Sequence, residues 1–351
     1  MKLTFTIFTI AALLFSASLF AGNPDRQGEA GAYELLMNPW ARSAGLHSMN
    51  TSMVSGVEAM NMNVAGLARI NKSEFVLSNT QYLVGTGISM NALGIAQKVG
   101  KNGTLGLCVV GMNFGDITVT TTDQPEGNGA TFSPTFFNLG LAYAHTFANK
   151  VTVGVLLRTI SQTTADLNSF GAAIDAGVQY VTGERDEFKF GLSLRNVGTP
   201  MRFGGEGLST RRPNPQDDFI SYQLTYDTRS ATFDLPSLLN IGLSYDFYLS
   251  RKNRLTALGN FTSNSFSRDQ IGGGLELGIN EMFMLRAAYV QDIGSTPLGV
   301  ELRNIYTGLS AGFSFETPMG RDSDTRFGID YAWRASNPFN GTHNLSVRFA
   351  F

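Results

Sequence analysis

Hydrophobic and polar residues alternate along most of this chain, in runs of about ten that each stop at a turn signal. Strict alternation places one set of side chains on each face of a β-strand. In one run Leu239, Ile241, Leu243, Tyr245 and Phe247 share a face, and Asn240, Gly242, Ser244 and Asp246 share the other. Phe137, Leu139, Leu141 and Tyr143 repeat the pattern against Asn138, Gly140, Ala142 and Ala144. Such runs predict strands over 74–83, 88–98, 103–114, 135–147, 151–162, 169–181, 187–196, 237–249, 254–262, 270–279, 282–291, 305–316, 325–333 and 342–351. A bilayer is crossed by tilted strands of about 9–11 residues, so these runs are long enough to span one.

The connections support a closed barrel rather than a soluble sandwich. Short turns are expected at Lys101–Gly103, Asn149–Lys150, Gly183–Glu187, Arg251–Asn253 and Asn280–Glu281. Longer connections are expected at Gly115–Pro134, Gln162–Leu167, Val197–Pro236, Ser263–Asp269 and Asp292–Arg303. Bacterial barrels keep short turns on the periplasmic side and long loops outside, with an even strand count. The fold class is therefore all-β, an antiparallel transmembrane β-barrel of about 14 strands. Ile220–Tyr226 also alternates, but counting it as spanning would strand the C-terminus on the wrong face; it is expected in an extracellular hairpin or loop.

Composition agrees. Charged residues are only 15% of the 351-residue chain, against about 25% in soluble domains. A net charge of -2 leaves no basic footprint for nucleic acid. The single cysteine, Cys108, excludes an intramolecular disulfide. Lys2 followed by the apolar run Leu3–Phe20 reads as a signal peptide over residues 1–21, with Ala21 as the last residue before cleavage. The expected localisation is the cell outer membrane, with the lipid bilayer as one partner. The last strand alternates Leu345, Val347, Phe349 and Phe351 against Asn344, Ser346, Arg348 and Ala350. A terminal strand that stops on an aromatic resembles the signal read by barrel-assembly machinery, so Phe349 and Phe351 are the expected assembly signal.

Residues 22–72 do not alternate. They hold Met37, Met49, Met53, Met60 and Met62 beside Pro39 and Trp40. This segment is too apolar to stay in water, and flexible Met side chains suit an irregular channel. It is expected to fold as short helical pieces, an N-terminal plug segment inside the barrel of residues 73–351.

Within this segment Glu34-Leu35-Leu36-Met37-Asn38-Pro39-Trp40-Ala41-Arg42-Ser43-Ala44-Gly45-Leu46 resembles the opening of the PorV/PorQ family. Asn63-Val64-Ala65-Gly66-Leu67-Ala68 is similar to an Asn-Pro-Ala-Gly-Leu-Ala stretch that this family shares with FadL-type transporters, with Val64 in place of the Pro. Asp234-Leu235-Pro236 resembles the family's lead-in to a mid-barrel strand. The plug motif candidates are Pro39, Ala41, Arg42, Gly45, Asn63, Gly66 and Leu67. The resemblance implies a plugged barrel of the FadL superfamily. It further implies a component of the type IX protein secretion system, with the secretion channel protein and cargo proteins carrying C-terminal signal domains as partners. The loops at Val197–Pro236 and Gly115–Pro134 would then form the binding surface. The alternative is a FadL-like transporter of hydrophobic small molecules. That reading needs a lateral opening, for which a kink near Gly85 and Gly87 or a bulge at Gly94 are the candidates.

Candidate chemistry is sparse. His47, His145 and His343 have no metal-ligand spacing. Gly272-Gly273-Gly274 lies in an alternating run with no Lys-Ser/Thr after it, so close strand packing explains it better than a phosphate loop. Neither a cofactor nor a catalytic residue is expected, although a Ser–His pair at the rim is the enzymatic rival. Inward Lys189, Arg195, Arg286, Arg326 and Arg348 are expected to pair with Asp246, Glu276 and Asp330.

Overall fold

The computed structural model describes residues 26–148, 150–213, 222–293, 305–319 and 325–351. The expected signal peptide, most of the 292–303 connection and the start of the 220–226 run lie outside them. Fourteen antiparallel strands close into one barrel. They are β1 (Ser73–Gln81), β2 (Ser89–Val99), β3 (Gly103–Asn113), β4 (Thr135–Phe147), β5 (Val151–Thr164), β6 (Leu167–Thr182) and β7 (Phe188–Gly198). The second half comprises β8 (Leu238–Tyr248), β9 (Arg254–Asn264), β10 (Asp269–Ile279), β11 (Phe283–Ile293), β12 (Tyr306–Pro318), β13 (Arg326–Ser336) and β14 (Thr342–Ala350). Closure runs through β1 and β14, paired from Glu74↔Ala350 to Gln81↔His343. A closed ladder satisfies backbone groups within the wall, which is what lets strands cross lipid.

The apolar face points outward. On β5, Val155 and Leu157 are 46% and 56% exposed, while Leu156, Arg158 and Ile160 are buried inside. A soluble sandwich would hide its Leu and Val face and wet its Arg and Asp face; this barrel does the reverse. The aromatic pairs Phe283–Phe315, Phe327–Phe349, Phe313–Tyr331 and Tyr245–Phe247 cluster toward the end that carries the short turns. That is where an interfacial girdle belongs.

The connection between β5 and β6 is tighter than the sequence predicts. Pairing continues to Thr164↔Leu167, leaving a two-residue turn at Ala165 and Asp166. Polar residues there suggested a loop, but a strand pair that projects beyond the bilayer can be polar on its outer face. The run containing Gln223–Asp227 pairs with Ser209–Pro213 in a separate exposed hairpin, as expected of a connection. The Val197–Pro236 loop is not wholly external. Met201 and Leu235 turn inward and are buried with Leu35 and Ile160, and Phe233 packs against them.

The wall around β1–β4 shows no lateral gap. Pairing is unbroken from Ser89↔Asn113 to Val99↔Gly103 and from Gly103↔His145 to Asn113↔Thr135. Gly94 pairs normally with Val76 and Cys108, so no bulge forms there. It is Gly because an added Cβ would lie 2.2 Å from Val57 Cγ1. Gly85 and Gly87 fall in the β1–β2 connection, not in a kinked strand. The register shifts instead between Ile174 and Ala176 on β6, and between Tyr306 and Ser310 on β12.

The segment before β1 fills the lumen. It contains helix α1 (Ala41–Gly45) and three-residue-per-turn helices at Tyr33–Leu36, Gly56–Asn61 and Val64–Arg69. Trp40, Met60, Met62 and Leu67 from the segment are buried together with Met90 and Leu156 from the wall. Inward glycines let its backbone touch the wall. A Cβ on Gly154 would lie 2.6 Å from the Val64 carbonyl carbon, and one on Gly191 would lie 2.4 Å from the Thr51 carbonyl oxygen. The segment threads the lumen from end to end. Arg26 pairs with Asp234 at 3.0 Å and covers Phe266 at the long-loop rim, while Ile70 leads into β1 at the short-turn rim.

Candidate functional site

All seven plug motif residues lie in the lumen, along the seams that hold the segment to the wall or to itself. Pro39 ends an extended stretch, and its carbonyl accepts from Ser78 Oγ at 2.5 Å and Asn344 Nδ2 at 3.2 Å. The Ala41 amide donates to Ser346 Oγ at 3.0 Å. Gly45 lies against β12, where an added Cβ would be 3.2 Å from the Gly312 Cα. Arg42 donates to Glu58 at 3.3 Å and to the Ser55 carbonyl at 3.1 Å. Burial alone would lower the Arg42 pKa, but the carboxylates of Glu58, Asp330 and Glu74 outweigh it and raise it.

Asn63 caps the Val64–Arg69 helix through Oδ1, which accepts from the Ala65 amide, while Nδ2 donates to the Thr51 and Val178 carbonyls. With Asn63 already supplying the cap, Val64 takes the first helical position without the usual Pro. Gly66 lies under Val54, and Leu67 fills the space over Gly106. Phe351 exchanges backbone hydrogen bonds with Ser73 at 2.8 and 3.3 Å, which finishes the closing seam. Phe349 stacks outside it between Phe75 and Phe327.

The inward charges pair largely as the sequence predicts. Lys189 reaches Asp246 at 2.6 Å, Arg286 reaches Glu276 at 2.6 Å, and Arg348 lies 3.8 Å from Asp330. Arg326 and Arg348 share Glu316, a partner the alternation did not single out. Arg158 and Asp175 form a fully buried pair at 2.9 Å that was also missed. Among the described residues, Arg195 forms no ion pair with a carboxylate. The bulge beside Asp175 turns both Arg195 and Asn196 inward, and Arg195 donates to the Leu35 carbonyl at 3.1 Å.

Among the described residues, one cavity lies beside the plug toward each rim. Toward the short-turn rim, Arg42, Arg69, Arg185, Lys189, Arg254 and Arg286 face Asp186, Asp246 and Glu276 around a polar vestibule of about 360 Å³. Toward the long-loop rim, a cavity of about 480 Å³ lies between the plug and the β8–β13 wall. Its plug side carries Leu36, Met37 and Met49, and its wall side carries Asn240, Asn260, Thr262 and Arg334. Such volumes fall in the range of about 300–1,000 Å³ used by small-ligand sites. His47 borders it, and its pKa is pushed down to about 4, first by burial and then by Arg334. The sequence offered no sign of this cavity, because its walls come from distant strands. Gly272 proves to be a packing residue, since an added Cβ would lie 2.3 Å from Met49 Sδ. His145 and His343 take the tyrosines Tyr143 and Tyr331 as partners.

No family model matches the chain, and no curated protein matches it. Solved structures do. A toluene transporter from Pseudomonas putida, TodX, is 12% identical and superposes with a TM-score of 0.56, over 89% of this chain and 97% of the other. The Ralstonia pickettii toluene transporter TbuX is 12% identical with a TM-score of 0.52, again over 89% and 97%. A Pseudomonas aeruginosa FadL homologue is 10% identical with a TM-score of 0.51, over the same shares. These likenesses cover nearly the whole of each barrel, and the strand count, closure and lumen-filling segment lead to one conclusion: this chain has a FadL-like outer-membrane barrel fold of fourteen strands.

Proposed function

We propose that the protein is a channel for hydrophobic small molecules across the outer membrane. The observation that carries this reading is the cavity of about 480 Å³ between plug and wall, below the long-loop mouth. It is large enough for a small ligand, and apolar plug residues such as Leu36, Met37 and Met49 line one side of it. The FadL-like neighbours named as toluene transporters support it. The plug blocks free diffusion, so passage requires it to shift. The test is uptake of radiolabelled toluene by intact cells with and without the protein, since an outer leaflet of lipopolysaccharide retards apolar solutes. Faster uptake with the protein supports the channel, and equal rates would overturn it.

A second reading keeps the barrel as a type IX secretion component that binds the secretion channel and exported cargo. Two features favour it: the plug motifs that resemble PorV/PorQ, and the exposed hairpin of Ser209–Pro213 with Gln223–Asp227. Mild-detergent purification separates the readings. Co-purification of a large channel protein, lost when the hairpin is shortened, would favour secretion.

A further inference from the structure

We propose that the outer face of the wall binds an N-acyl amphiphile, a membrane molecule whose apolar chain is joined to its head through an amide. The site is a groove of about 610 Å³ that crosses β14, β1, β2, β3 and β4 on the side facing lipid. Its volume falls in the range of about 300–1,000 Å³ used by small-ligand sites. It is separate from the lumen. Pairing through these strands is unbroken, and Ala92, Val110 and Met112 on their inner face are buried with Trp40 and Met60 of the plug. The proposal goes beyond the channel reading and does not rest on it.

One cross-strand row shapes the groove. Leu345, Asn79, Asn91, Gly111 and Phe137 pair in succession across the five strands. Leu345 and Phe137 are 51% and 45% exposed and form the two banks. Gly111 is the dent between them, since an added Cβ would meet nothing within 4 Å. Leu77, Leu93, Val109 and Val347 line the groove on the short-turn side, an apolar strip for a chain. Asn79 and Asn91 give that strip a polar end. Both are exposed, and Asn79 Nδ2 donates to Asn91 Oδ1 at 2.8 Å. This bond leaves Asn79 Oδ1 to accept and Asn91 Nδ2 to donate, side by side. In a wall bathed by lipid such groups have little water to meet them. A secondary amide answers both, because its N–H donates and its C=O accepts. An ester offers acceptors alone. A carboxylate brings a charge that is costly to desolvate, and the described lining carries no charged side chain to match it.

Photolabelling of the full barrel in phosphatidylcholine nanodiscs tests this. The probes are N-(2-hydroxyethyl)dodecanamide, 2-hydroxyethyl dodecanoate and dodecanoate, each with a diazirine on the chain, and labelled peptides are identified by mass spectrometry. The amide is expected to label β1–β4 about fivefold more than the ester, which is what one hydrogen bond between neutral groups contributes. Dodecanoate should label them least, and the outer face of β5 and β6 should take up amide and ester equally. Asn79→Leu with Asn91→Leu should abolish the preference for the amide. Gly111→Trp fills the groove from outside and should remove the excess labelling altogether. Heat-modifiable migration on gels checks that each variant is folded, and the comparison of probes on the unaltered protein needs no variant. Equal labelling of β1–β4 by amide and ester, labelling by dodecanoate at or above that of the amide, or a folded Gly111→Trp barrel that keeps the preference would overturn the inference. The channel reading is judged separately, by toluene uptake.

Discussion

Single residues set how closely the plug meets the wall. Gly66 leaves no room for a side chain: an added Cβ would lie 2.1 Å from the Val54 carbonyl oxygen, which is backbone and cannot step aside. Gly66→Val should therefore destabilise the plug by about 1–3 kcal/mol, the usual cost of overpacking. Limited proteolysis should then release plug fragments at a lower urea concentration than from the parent barrel. His47 adds a pH dependence. Its folded pKa is pushed down to about 4 from the model-peptide range by burial and by Arg334. A depressed pKa contributes stability that is complete above the unfolded value of about 6.5 and is lost as pH falls through the folded one. Plug release should become easier between those two pH values. His47→Phe should flatten that dependence while leaving release above neutrality nearly unchanged.

At the scale of elements, the β5–β6 pair is held by more than its ladder. Arg158 and Asp175 sit on neighbouring inward positions, 2% and 1% exposed in their side chains. Arg158 also donates to the Met60 carbonyl at 3.3 Å, so one side chain ties two strands to the plug. Asp175 accepts from the Asn196 amide at 2.6 Å and so fixes the bulge that turns Arg195 inward. Arg158→Met alone should cost about 3–5 kcal/mol by leaving a buried carboxylate unmatched. Arg158→Met with Asp175→Leu should recover much of that loss, and equilibrium unfolding in urea measures both. An equal cost for the single and double variants would show that packing, not charge, holds this corner.

At the scale of the whole molecule, a closed wall around a threaded segment leaves that segment as the obstruction in the lumen. The described wall carries continuous pairing from β1 through β4, and the segment is buried over most of residues 30–70. Removing residues 26–70 should convert a nearly silent barrel into one with steady conductance in planar bilayers. The ladder that closes at Phe351 should still form, because its hydrogen bonds are internal to the wall.

Much of this architecture was legible in the sequence. Alternation with period two is a local consequence of strand geometry, so the strands, their faces and the even count could all be read from neighbours along the chain. The terminal run through Phe349 and Phe351 was legible for the same reason. The Pro39–Gly45 and Asn63–Leu67 stretches lie along the plug's close contacts, with the wall at Pro39, Ala41 and Gly45 and within the plug at Arg42 and Gly66. Other features depend on residues far apart in sequence. Nothing near Arg334 says that it stacks on Tyr306, and nothing near Asn196 says that the register slips there. The cavity is bounded by Met37, Asn260 and Arg334, which meet only when the barrel closes around the plug. Local periodicity determined the wall of this protein. Only the tertiary structure decided what the wall encloses, because a lumen is defined by residues on opposite sides of a closed sheet.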